Sequence, residues 1–320
     1  MSAEVVVYGE ALVDLIPDGE GNYQPRPGGS PFNVAVALAR LGVDVAFLAP
    51  FSEDAFGCKL VELLEDEGVE ILVTRRSRRP TSIAIVEDSD AGPRYSLYRT
   101  GVADTDISLN QVLSVLPENF DVFHTGSLAL TPEQASLTRG LLNEVKRRGI
   151  PVSIDINVRA AATDDIEAYR SVLLEFGAMT NLLKASDEDL ASLGHDIDSA
   201  AVFQSEMDCE LFAFTSGPEG AGALSESISV TCNAFNVETI VDTVGAGDVF
   251  QAGLIAGLLR AAPEFPVQHD QKVLLSILER ACMAAAINVG RVGCDPPTYE
   301  EIETYMDQAP YQPSQCPIKG

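Results

Sequence analysis

The stretch Asp242–Phe250, with the sequence DTVGAGDVF, places a carboxylate directly after a glycine-rich turn and before a run of apolar residues. The apolar run predicts a helix over Gly247–Ala261, and Asn236–Val241 ahead of the turn is predicted to be a strand. Three small residues form the turn: Gly245, Ala246 and Gly247. The first amides of a helix lack partners within the helix and lie at the positive end of its dipole. Small residues at this point therefore predict a site where a phosphate can approach the amides closely.

Asp248 lies at the start of the same predicted helix. A carboxylate there could accept the proton of a substrate hydroxyl while the amides hold the phosphoryl group under attack. An aspartate at a helix start is also a common capping residue, and its position alone favours that structural role. The chain contains no GxxxxGK[ST] loop, so a phosphate bound here is not held by the lysine-bearing loop of the common nucleotide folds.

A second polar cluster is predicted from DINVR, Asp155–Arg159. Strand alternation would place Asp155, Asn157 and Arg159 on one side at the carboxyl end of a buried strand. Ligands of open α/β sheets gather at that edge. Arg159 could clamp phosphate oxygens with two hydrogen bonds, or it could pair with Asp155 to hold a loop.

Short runs rich in valine, isoleucine and leucine alternate with helix-length segments, which predicts an α/β fold with a mostly parallel sheet. The predicted core strands are Glu4–Gly9, Asp44–Pro50, Asp121–Thr125, Pro151–Ile156, Asn181–Lys184, Glu210–Thr215 and a run near Ala221–Val230. The other predicted helices are Pro31–Leu41, Asp54–Asp66, Pro132–Arg148, Ile166–Phe176, Asp187–Leu193, Asp270–Gly290 and Tyr299–Gln308.

One region breaks this alternation. Val69–Thr100 reads as three strands separated by turns, with no room for a helix. Together with Val13–Pro25 it predicts a small β-sheet outside the main one, which would form a lid. We expect residues 1–320 to form a single domain with lid segments at about 13–27 and 69–104.

The composition excludes several classes of partner. The chain of 320 residues has a net charge of −27 and 46 % hydrophobic residues. This charge argues against nucleic acid and anionic membrane surfaces, which both favour a basic face. No apolar stretch reaches the ~20 residues of a membrane-spanning helix, and the N-terminus lacks the basic region of a signal peptide. The six scattered cysteines predict reduced thiols in a cytoplasmic protein.

Two motifs resemble the signatures of the ribokinase-like (PfkB) carbohydrate kinases. DTVGAGD resembles the C-terminal signature, and PGGSPFNVAVALARLG (Pro27–Gly42) resembles the N-terminal one. The likeness includes the opening strand with Gly9 and Asp14, the β-insertion, and TSGPEGA ahead of the glycine turn. It implies a three-layer α/β/α fold with a mostly parallel central sheet and a small β-sheet lid.

The resemblance also implies roles for individual residues. Asp248 would be the catalytic base, beside an anion hole made of the amides of Gly245, Ala246, Gly247 and Asp248 itself. The implied sugar ligands are Asp14, Gly28, Gly29, Asn33, Arg99 and Arg159. The implied nucleotide contacts are Lys184, Thr215, Gly217, Gly220 and Asn288. Without the family pattern, the di-glycine could be a plain turn, Asn33 a first-turn residue and Thr215 an ordinary strand end.

Three stretches are similar to the fructokinase group of this family: RTGVAD (Arg99–Asp104), DINVR and NVGRVGCDPPT (Asn288–Thr298). They imply an ATP-dependent kinase that phosphorylates the terminal hydroxyl of a ketose, D-fructose, giving fructose 6-phosphate. Mg²⁺ would arrive with ATP, and a K⁺ site formed largely by carbonyls is implied near Asp242 and Val244. In one departure from the family, Ser186 and Asp189 stand where an asparagine and a glutamate are usual.

Two alternatives stay open at the level of sequence. A 2-keto-3-deoxygluconate kinase would need a cation for the carboxylate of its sugar, and Arg99 could serve. A non-catalytic sugar- or nucleotide-binding regulator on the same fold would not need the base Asp248. The exposed edges of the lid strands, which this family often pairs, imply a homodimer.

Overall fold

The computed structural model describes residues 3–18, 20–87, 94–163, 165–261, 265 and 270–308. The strands found among them are β1 (Val5–Tyr8), β2 (Leu12–Pro17), β3 (Tyr23–Gly28), β4 (Val45–Phe47), β5 (Glu70–Ile71), β6 (Ser82–Glu87), β7 (Arg94–Tyr98), β8 (Val122–Gly126), β9 (Val152–Asp155), β10 (Leu182–Ser186), β11 (Leu211–Thr215), β12 (Ala221–Leu224) and β13 (Ser229–Cys232).

The helices in the same ranges are α1 (Ser30–Arg40), α2 (Ala55–Asp66), α3 (Leu109–Val115), α4 (Ala135–Arg147), α5 (Ile166–Gly177), α6 (Asp187–Ser192), α7 (Ala200–Met207), α8 (Ala246–Ala261), α9 (Gln271–Val289) and α10 (Tyr299–Gln308). Aspartates begin three of them: the side chains of Asp54, Asp165 and Asp270 accept hydrogen bonds from first-turn amides of α2, α5 and α9. Every helix predicted from the sequence is present, whereas α3 and α7 were not predicted.

The main sheet has nine strands in the order β13-β12-β11-β10-β9-β8-β1-β4-β5. The strands from β11 to β5 run parallel, and β12 and β13 extend the sheet as antiparallel strands. The run predicted near Ala221–Val230 is therefore two strands joined by a hairpin. All the parallel strands end at the same edge, so the loops after them lie side by side.

Helices cover both faces of this sheet, as the alternating directions of the side chains along β1 show. Val5 and Val7 pack with α1, α8 and α9 on one face, whereas Val6 and Tyr8 pack with α4, α5 and α7 on the other. Such two-sided burial explains why the strand sequences are almost continuously apolar. The predicted three-layer arrangement with a mostly parallel sheet is confirmed.

The small separate sheet has the order β3-β2-β6-β7. It packs on the main body through a cluster made by Leu12, Ala84 and Leu128, with Leu97 and Ala162 at its margin. One part of the prediction is wrong, because the first of the three strands expected in Val69–Thr100 belongs to the main sheet. That strand, β5, pairs with β4, since the short connection after α2 returns it to the sheet edge. The predicted turn at 88–93 lies outside the described residues.

The strand predicted at Asn236–Val241 is also wrong. This segment has no regular structure, and the amides of Val241 and Asp242 both donate to the carbonyl of Val289 at the end of α9. Ile240 and Val241 are 69 % and 48 % exposed, so their apolar character does not reflect burial in a sheet. The segment crosses the end of α9 instead of pairing with a strand.

Candidate active site

Asp248 lies in the first turn of α8 and is only 6 % exposed. Its Oδ1 accepts a hydrogen bond from Ser30 Oγ at 2.7 Å, and its Oδ2 accepts one from Asn33 Nδ2 at 2.7 Å. Both donors belong to the first turn of α1, so the two motifs that lie far apart in sequence meet at this carboxylate. Burial raises the pKa of Asp248, and the bonds from Ser30 and Asn33 oppose the rise.

The start of α8 leaves backbone donors available. The first full helical bond runs from the Val249 amide to the Gly245 carbonyl at 2.8 Å. Within the ranges that the structure covers, the amides of Gly245, Gly247 and Asp248 donate no hydrogen bond to the protein. Gly245 has φ of +75°, and a Cβ on it would lie 2.5 Å from Cys294 Sγ, so this turn requires glycine.

The di-glycine brings three elements together beside Asp248. A Cβ on Gly28 would lie 2.1 Å from Asp14 Oδ2, and one on Gly29, which has φ of +104°, would lie 2.6 Å from the Glu10 carbonyl oxygen. The close approach places Asp14 of β2 next to the start of α1. Gly29 has no side chain to cap α1, and Glu10 Oε1 accepts from the Ser30 amide at 3.3 Å instead.

Arg159 is a cation that acts on these carboxylates. Burial raises the pKa of Asp14 to about 6 and also raises the pKa of Glu10, and in both cases Arg159 opposes the rise. Its own backbone amide donates to Tyr169 at 3.3 Å. The structure therefore places Arg159 among the predicted sugar ligands.

The alternative role of Arg159, a pair with Asp155 that holds a loop, is wrong. Strand β9 ends at Asp155, and Asn157 has φ of +40°, so strand alternation does not continue to Arg159. Asp155 instead accepts two bonds from Lys184 Nζ, at 2.9 and 3.1 Å, and both side chains are buried. Lys184 comes from the neighbouring strand β10, whose register places the two residues opposite each other.

Lys184 also reaches the glycine turn. A Cβ on Gly247 would lie 2.9 Å from Lys184 Nζ, so the ammonium group borders the free amides at the start of α8. Ser186 and Asp189, the departure from the family pattern, form a capping box at the start of α6. The second carboxylate oxygen of Asp189 accepts from the Val158 amide at 2.7 Å, which holds the loop that carries Arg159.

Arg99 follows β7 and is engaged by the loop that comes next. Its Nη1 donates to Asp104 Oδ2 at 2.7 Å and lies 3.4 Å from Ser82 Oγ. The Arg99 guanidinium is still close enough to Glu10 to oppose the rise in the pKa of that residue caused by burial.

A cavity of about 670 Å³ lies ahead of the glycine turn, and its lining does not include the predicted nucleotide contacts Lys184, Thr215, Gly217, Gly220 and Asn288. Its walls come from residues 232–239, from the last turns of α9 and from the end of α10. Thr215 ends β11 and Gly217 begins the turn that follows it. Gly220 must be glycine, because its Cβ would lie 2.0 Å from the Cys232 carbonyl oxygen at the rim of this cavity.

Asn288 and Asp242 fasten the loops at the base of the turn. Asn288 Nδ2 donates to the Val244 carbonyl at 2.9 Å, while its Oδ1 accepts from the Asp295 amide at 2.9 Å. Asp242 accepts from the amides of Val244 and Gly293. The side chain of Asn288 is thus committed to these loops, whereas its neighbours Ile287 and Gly290 line the cavity.

A buried polar group lies below Asp248 on the next turn of α8. Gln251 Nε2 donates to Ser153 Oγ at 2.7 Å, and His124 Nδ1 lies 3.1 Å from the same oxygen. Burial lowers the pKa of His124 to about 3, so its ring is neutral. This histidine therefore supports the packing of α8 on the sheet and offers no acid at neutral pH.

Sequence reasoning did not select three residues of the site. Ser30 lies inside the quoted motif PGGSPFN, and its spacing to Asn33 places both on one helical turn. Glu10 follows directly on Gly9, at the end of β1, and Asp104 ends the quoted stretch RTGVAD. In the sequence, Glu10 is marked only by its place after a strand, and Asp104 only by its place near an arginine. Such carboxylates are too common to identify a site residue on their own.

None of the helices in the described ranges combines the length and the apolar character needed to cross a membrane.

Comparison with known proteins agrees with this geometry. The profile of the pfkB family carbohydrate kinases matches residues 2–301. A fructokinase of Rhizobium leguminosarum bv. trifolii is 32 % identical over 260 residues, which is 79 % of each chain. A double mutant of the fructokinase of Vibrio cholerae O395, solved with fructose, ADP and a potassium ion, superposes with a TM-score of 0.81 at 27 % identity and covers 95 % of this chain and 99 % of its own.

A third protein shows that the fold also serves another substrate. The aminoimidazole riboside kinase of Salmonella enterica superposes with a TM-score of 0.80 at 25 % identity and covers 94 % of this chain and 98 % of its own. The family match extends over most of the chain and includes both motifs that meet at Asp248. This protein therefore belongs to the pfkB family of carbohydrate kinases and is a sugar phosphotransferase.

Proposed function

We propose that this enzyme transfers the γ-phosphoryl group of ATP to the C6 hydroxyl of D-fructose, giving fructose 6-phosphate. One observation carries the proposal: the Asp248 carboxylate faces the first turn of α1, while the amides at the start of its own helix remain free. A base beside free amides is what in-line transfer to an alcohol requires. The similarity to fructokinases supports fructose as the sugar.

The sugar would lie against Asp14, Asn33 and the backbone of Gly28 and Gly29. Carboxylate, amide and backbone groups can together accept from and donate to the hydroxyls of a neutral sugar. The absence of a Cβ at Gly28 keeps Asp14 close to the start of α1. Fixed in this way, the sugar presents its terminal hydroxyl to Asp248.

Asp248 takes the proton of that hydroxyl as the new O–P bond forms. Ser30 and Asn33 each donate to one oxygen of the carboxylate, so they hold it in place and favour its ionised form. The negative charge on the transferring group is met by the amides of Gly245, Gly247 and Asp248, with Lys184 and Arg159 beside them.

The cavity between residues 232–239 and α9 fits the base and ribose of ATP, since its volume of about 670 Å³ is that of a typical ligand site. It lies beside the loop that leads into the glycine turn. Mg²⁺ bound to ATP supplies charge neutralisation on the phosphates and keeps water in most of its shell.

A K⁺ site is proposed beside the anion hole, at the loops that Asp242 and Val244 form with residues 288–293. Asp242 and Asn288 already fasten these loops to each other. A monovalent cation bound by their carbonyl oxygens would stabilise the turn that presents the amides. The potassium ion in the V. cholerae fructokinase structure supports this proposal.

The experiment that tests the function is a coupled ADP-release assay with a panel of sugars. Asp248→Asn is expected to lower kcat with fructose by about 10²- to 10⁴-fold, because the general base is lost. Binding of ATP, measured by calorimetry, should be kept. Asp270→Asn is the matched control, since it makes the same change at a helix start where asparagine also caps well. Full turnover by Asp248→Asn would overturn the proposed role.

We also propose a homodimer that pairs through the lid. The small sheet has β3 and β7 at its edges, and these strands expose Tyr23 and Tyr98 by 47 % and 61 %. An exposed strand edge with aromatic side chains is suited to pairing. Light scattering is expected to give twice the chain mass of 34.1 kDa, and a species of only one chain mass would refute the dimer.

A cytoplasmic location completes the proposal. The structure describes five free cysteines, and three of them, Cys209, Cys232 and Cys282, are buried as thiols. Reduced, scattered cysteines are typical of a reducing compartment. Fractionation of cells that make the protein checks this, and activity found only outside the cytoplasm would contradict it.

A further inference from the structure

The lid arginine is not a free cation. Arg99 Nη1 lies 2.7 Å from Asp104 Oδ2, and the side chains are only 17 % and 3 % exposed. Ser82 Oγ lies between them, 3.3 Å from Asp104 Oδ1 and 3.4 Å from Arg99 Nη1. Breaking such a buried pair would leave a charge without a partner, so the pair is held together.

The other charges around the sugar site are mostly negative. Glu10, Asp14 and Asp248 are brought together at the start of α1. Besides Arg99, Lys184 and Arg159 are cations at this site: Lys184 already pairs with Asp155, and Arg159 opposes the effect of burial on all three carboxyls. With Asp104 and Asp155, these described residues hold five carboxyl groups against two guanidinium groups and one ammonium group, so the cations are already matched by anions of the protein.

We propose that Asp104 determines sugar specificity: by neutralising Arg99 it restricts the site to uncharged polyhydroxyl sugars and excludes sugars that carry a carboxylate. This inference rests on the proposed function, because it concerns the sugar that Asp248 phosphorylates. The carboxylate of 2-keto-3-deoxygluconate would lose water and gain no free cation, next to several like charges. A neutral ketose needs only hydrogen-bond partners, which these carboxyl groups supply.

Position explains why Asp104 can have this effect without touching the sugar. It belongs to the short turn Ala103–Thr105 after the lid strand, and its carboxylate is almost completely buried. A carboxylate in this place acts on the charge of Arg99 rather than on sugar hydroxyls. Specificity then comes from a repulsive element as well as from attractive contacts.

The test compares kcat/KM for D-fructose and for 2-keto-3-deoxygluconate, with ADP release as the readout. The wild-type enzyme is expected to favour fructose by about 100-fold or more, because placing like charges together costs several kcal/mol. Asp104→Asn keeps the shape of the side chain and removes its charge. It is expected to raise kcat/KM for the acid sugar by about tenfold or more relative to fructose.

Two further variants make the result specific. Asp106→Asn removes a carboxylate of the same loop that pairs with Arg75 and Arg79 away from the sugar site, and it should leave the ratio unchanged. Arg99→Gln combined with Asp104→Asn removes both charges and should cancel the gain, because the freed cation is then absent. A gain that persists in this double variant would overturn the proposal.

The outcomes separate this inference from the proposed function. Equal kcat/KM for the two sugars in wild type overturns the role of Asp104 and leaves a fructose kinase in place. No phosphorylation of fructose by wild type overturns the proposed function itself. Preference of the wild type for the acid sugar would contradict the inference directly, whether or not Asp104→Asn folds.

Discussion

At the scale of single residues, Asp248 depends on two opposing influences. Burial raises its pKa, which favours the protonated carboxyl, whereas the hydrogen bonds from Ser30 and Asn33 favour the carboxylate. Only the carboxylate can accept a proton from the sugar. The two donors on α1 therefore control the pH range in which the base is active.

Ser30→Ala removes one of these donors. The pKa of Asp248 should rise further, so the acidic limb of kcat/KM against pH is expected to move to higher pH. At neutral pH we expect a loss of about tenfold, in line with the ~1–3 kcal/mol of a hydrogen bond to a buried charged group. Ser171→Ala is the control, because its hydroxyl bonds only within α5 at the surface. An unchanged pH profile in Ser30→Ala would show that the serine does not tune the base.

Burial also raises the pKa of Asp14, and this lowers the stability of the folded protein at neutral pH. Its pKa is raised to about 6 in the folded protein, above its ordinary value, so between about pH 4 and pH 6 the folded state holds a proton that the unfolded chain releases. The stability that this proton provides is complete at low pH and is lost as pH rises through about 6. Asp14→Asn should therefore raise stability at pH 7 by about 1–2 kcal/mol and lower the affinity for the sugar.

Thermal unfolding at two pH values checks this prediction. At pH 4 the wild type and Asp14→Asn should differ little, because the carboxyl is then protonated in the folded state and only about half ionised in the unfolded chain. Their difference should grow by pH 7. If Asp14→Asn is less stable than the wild type at pH 7, the ionised Asp14 carboxylate stabilises the folded protein and the prediction is wrong.

At the scale of elements, the site depends on strand ends that meet at one edge. Asp155 ends β9, and Lys184 extends from the opposite position on β10. Their buried ion pair lies directly behind the start of α8, where a Cβ on Gly247 would meet the ammonium group. The parallel register thus places a cation next to the anion hole.

Lys184→Met leaves the Asp155 carboxyl buried without its cation. We expect a loss of about 3–5 kcal/mol in the free energy of unfolding, which is typical when one partner of a buried pair is removed. Adding Asp155→Asn removes the second charge and should recover much of that stability. Urea unfolding measures the free energy of unfolding of the single and the double variant. Equal destabilisation of the two variants would contradict the pairing of Lys184 with Asp155.

The two elements that the sequence placed wrongly have a shared physical cause. The local sequence shows where apolar and β-branched residues occur. Whether such a segment pairs as a strand depends on which sheet edge lies within its reach. Asn236–Val241 has the residues of a strand yet lies across the end of α9, where Val289 accepts its amides. Glu70–Ile71 has a strand pattern that fits either sheet, and the return of the chain after α2 decides for the main one.

At the scale of the whole molecule, the net charge of −27 produces self-repulsion that salt screens. We expect the melting temperature of the sugar-free protein to rise with ionic strength up to about 1 M, where the Debye length is ~3 Å. Sodium chloride, potassium chloride and choline chloride should have similar effects on stability if screening is the cause. A flat or falling melting temperature in all three salts would contradict the prediction.

The same salts also test the proposed K⁺ site, because activity has a different dependence. Turnover should be higher in potassium chloride than in sodium or choline chloride at equal ionic strength. Such a difference would come from a bound ion at the loops of Asp242 and Asn288, since screening does not distinguish the cations. Equal turnover in the three salts would remove the K⁺ proposal and leave the kinase assignment in place.

The sequence alone determined the α/β class, the glycine turn with Asp248, and the di-glycine helix with Asn33, because each is a local pattern with a local physical cause. It could not determine that Ser30 and Asn33 bind the Asp248 carboxylate, that Lys184 pairs with Asp155, or that Asp104 neutralises Arg99. The first two contacts join residues from different strands and helices, which only the register of the sheet and the packing of α1 on α8 bring together. The Arg99–Asp104 contact lies within one loop, and the conformation of that loop decides it. Local chemistry can be read along the chain, whereas the partners of a charge are decided by the fold.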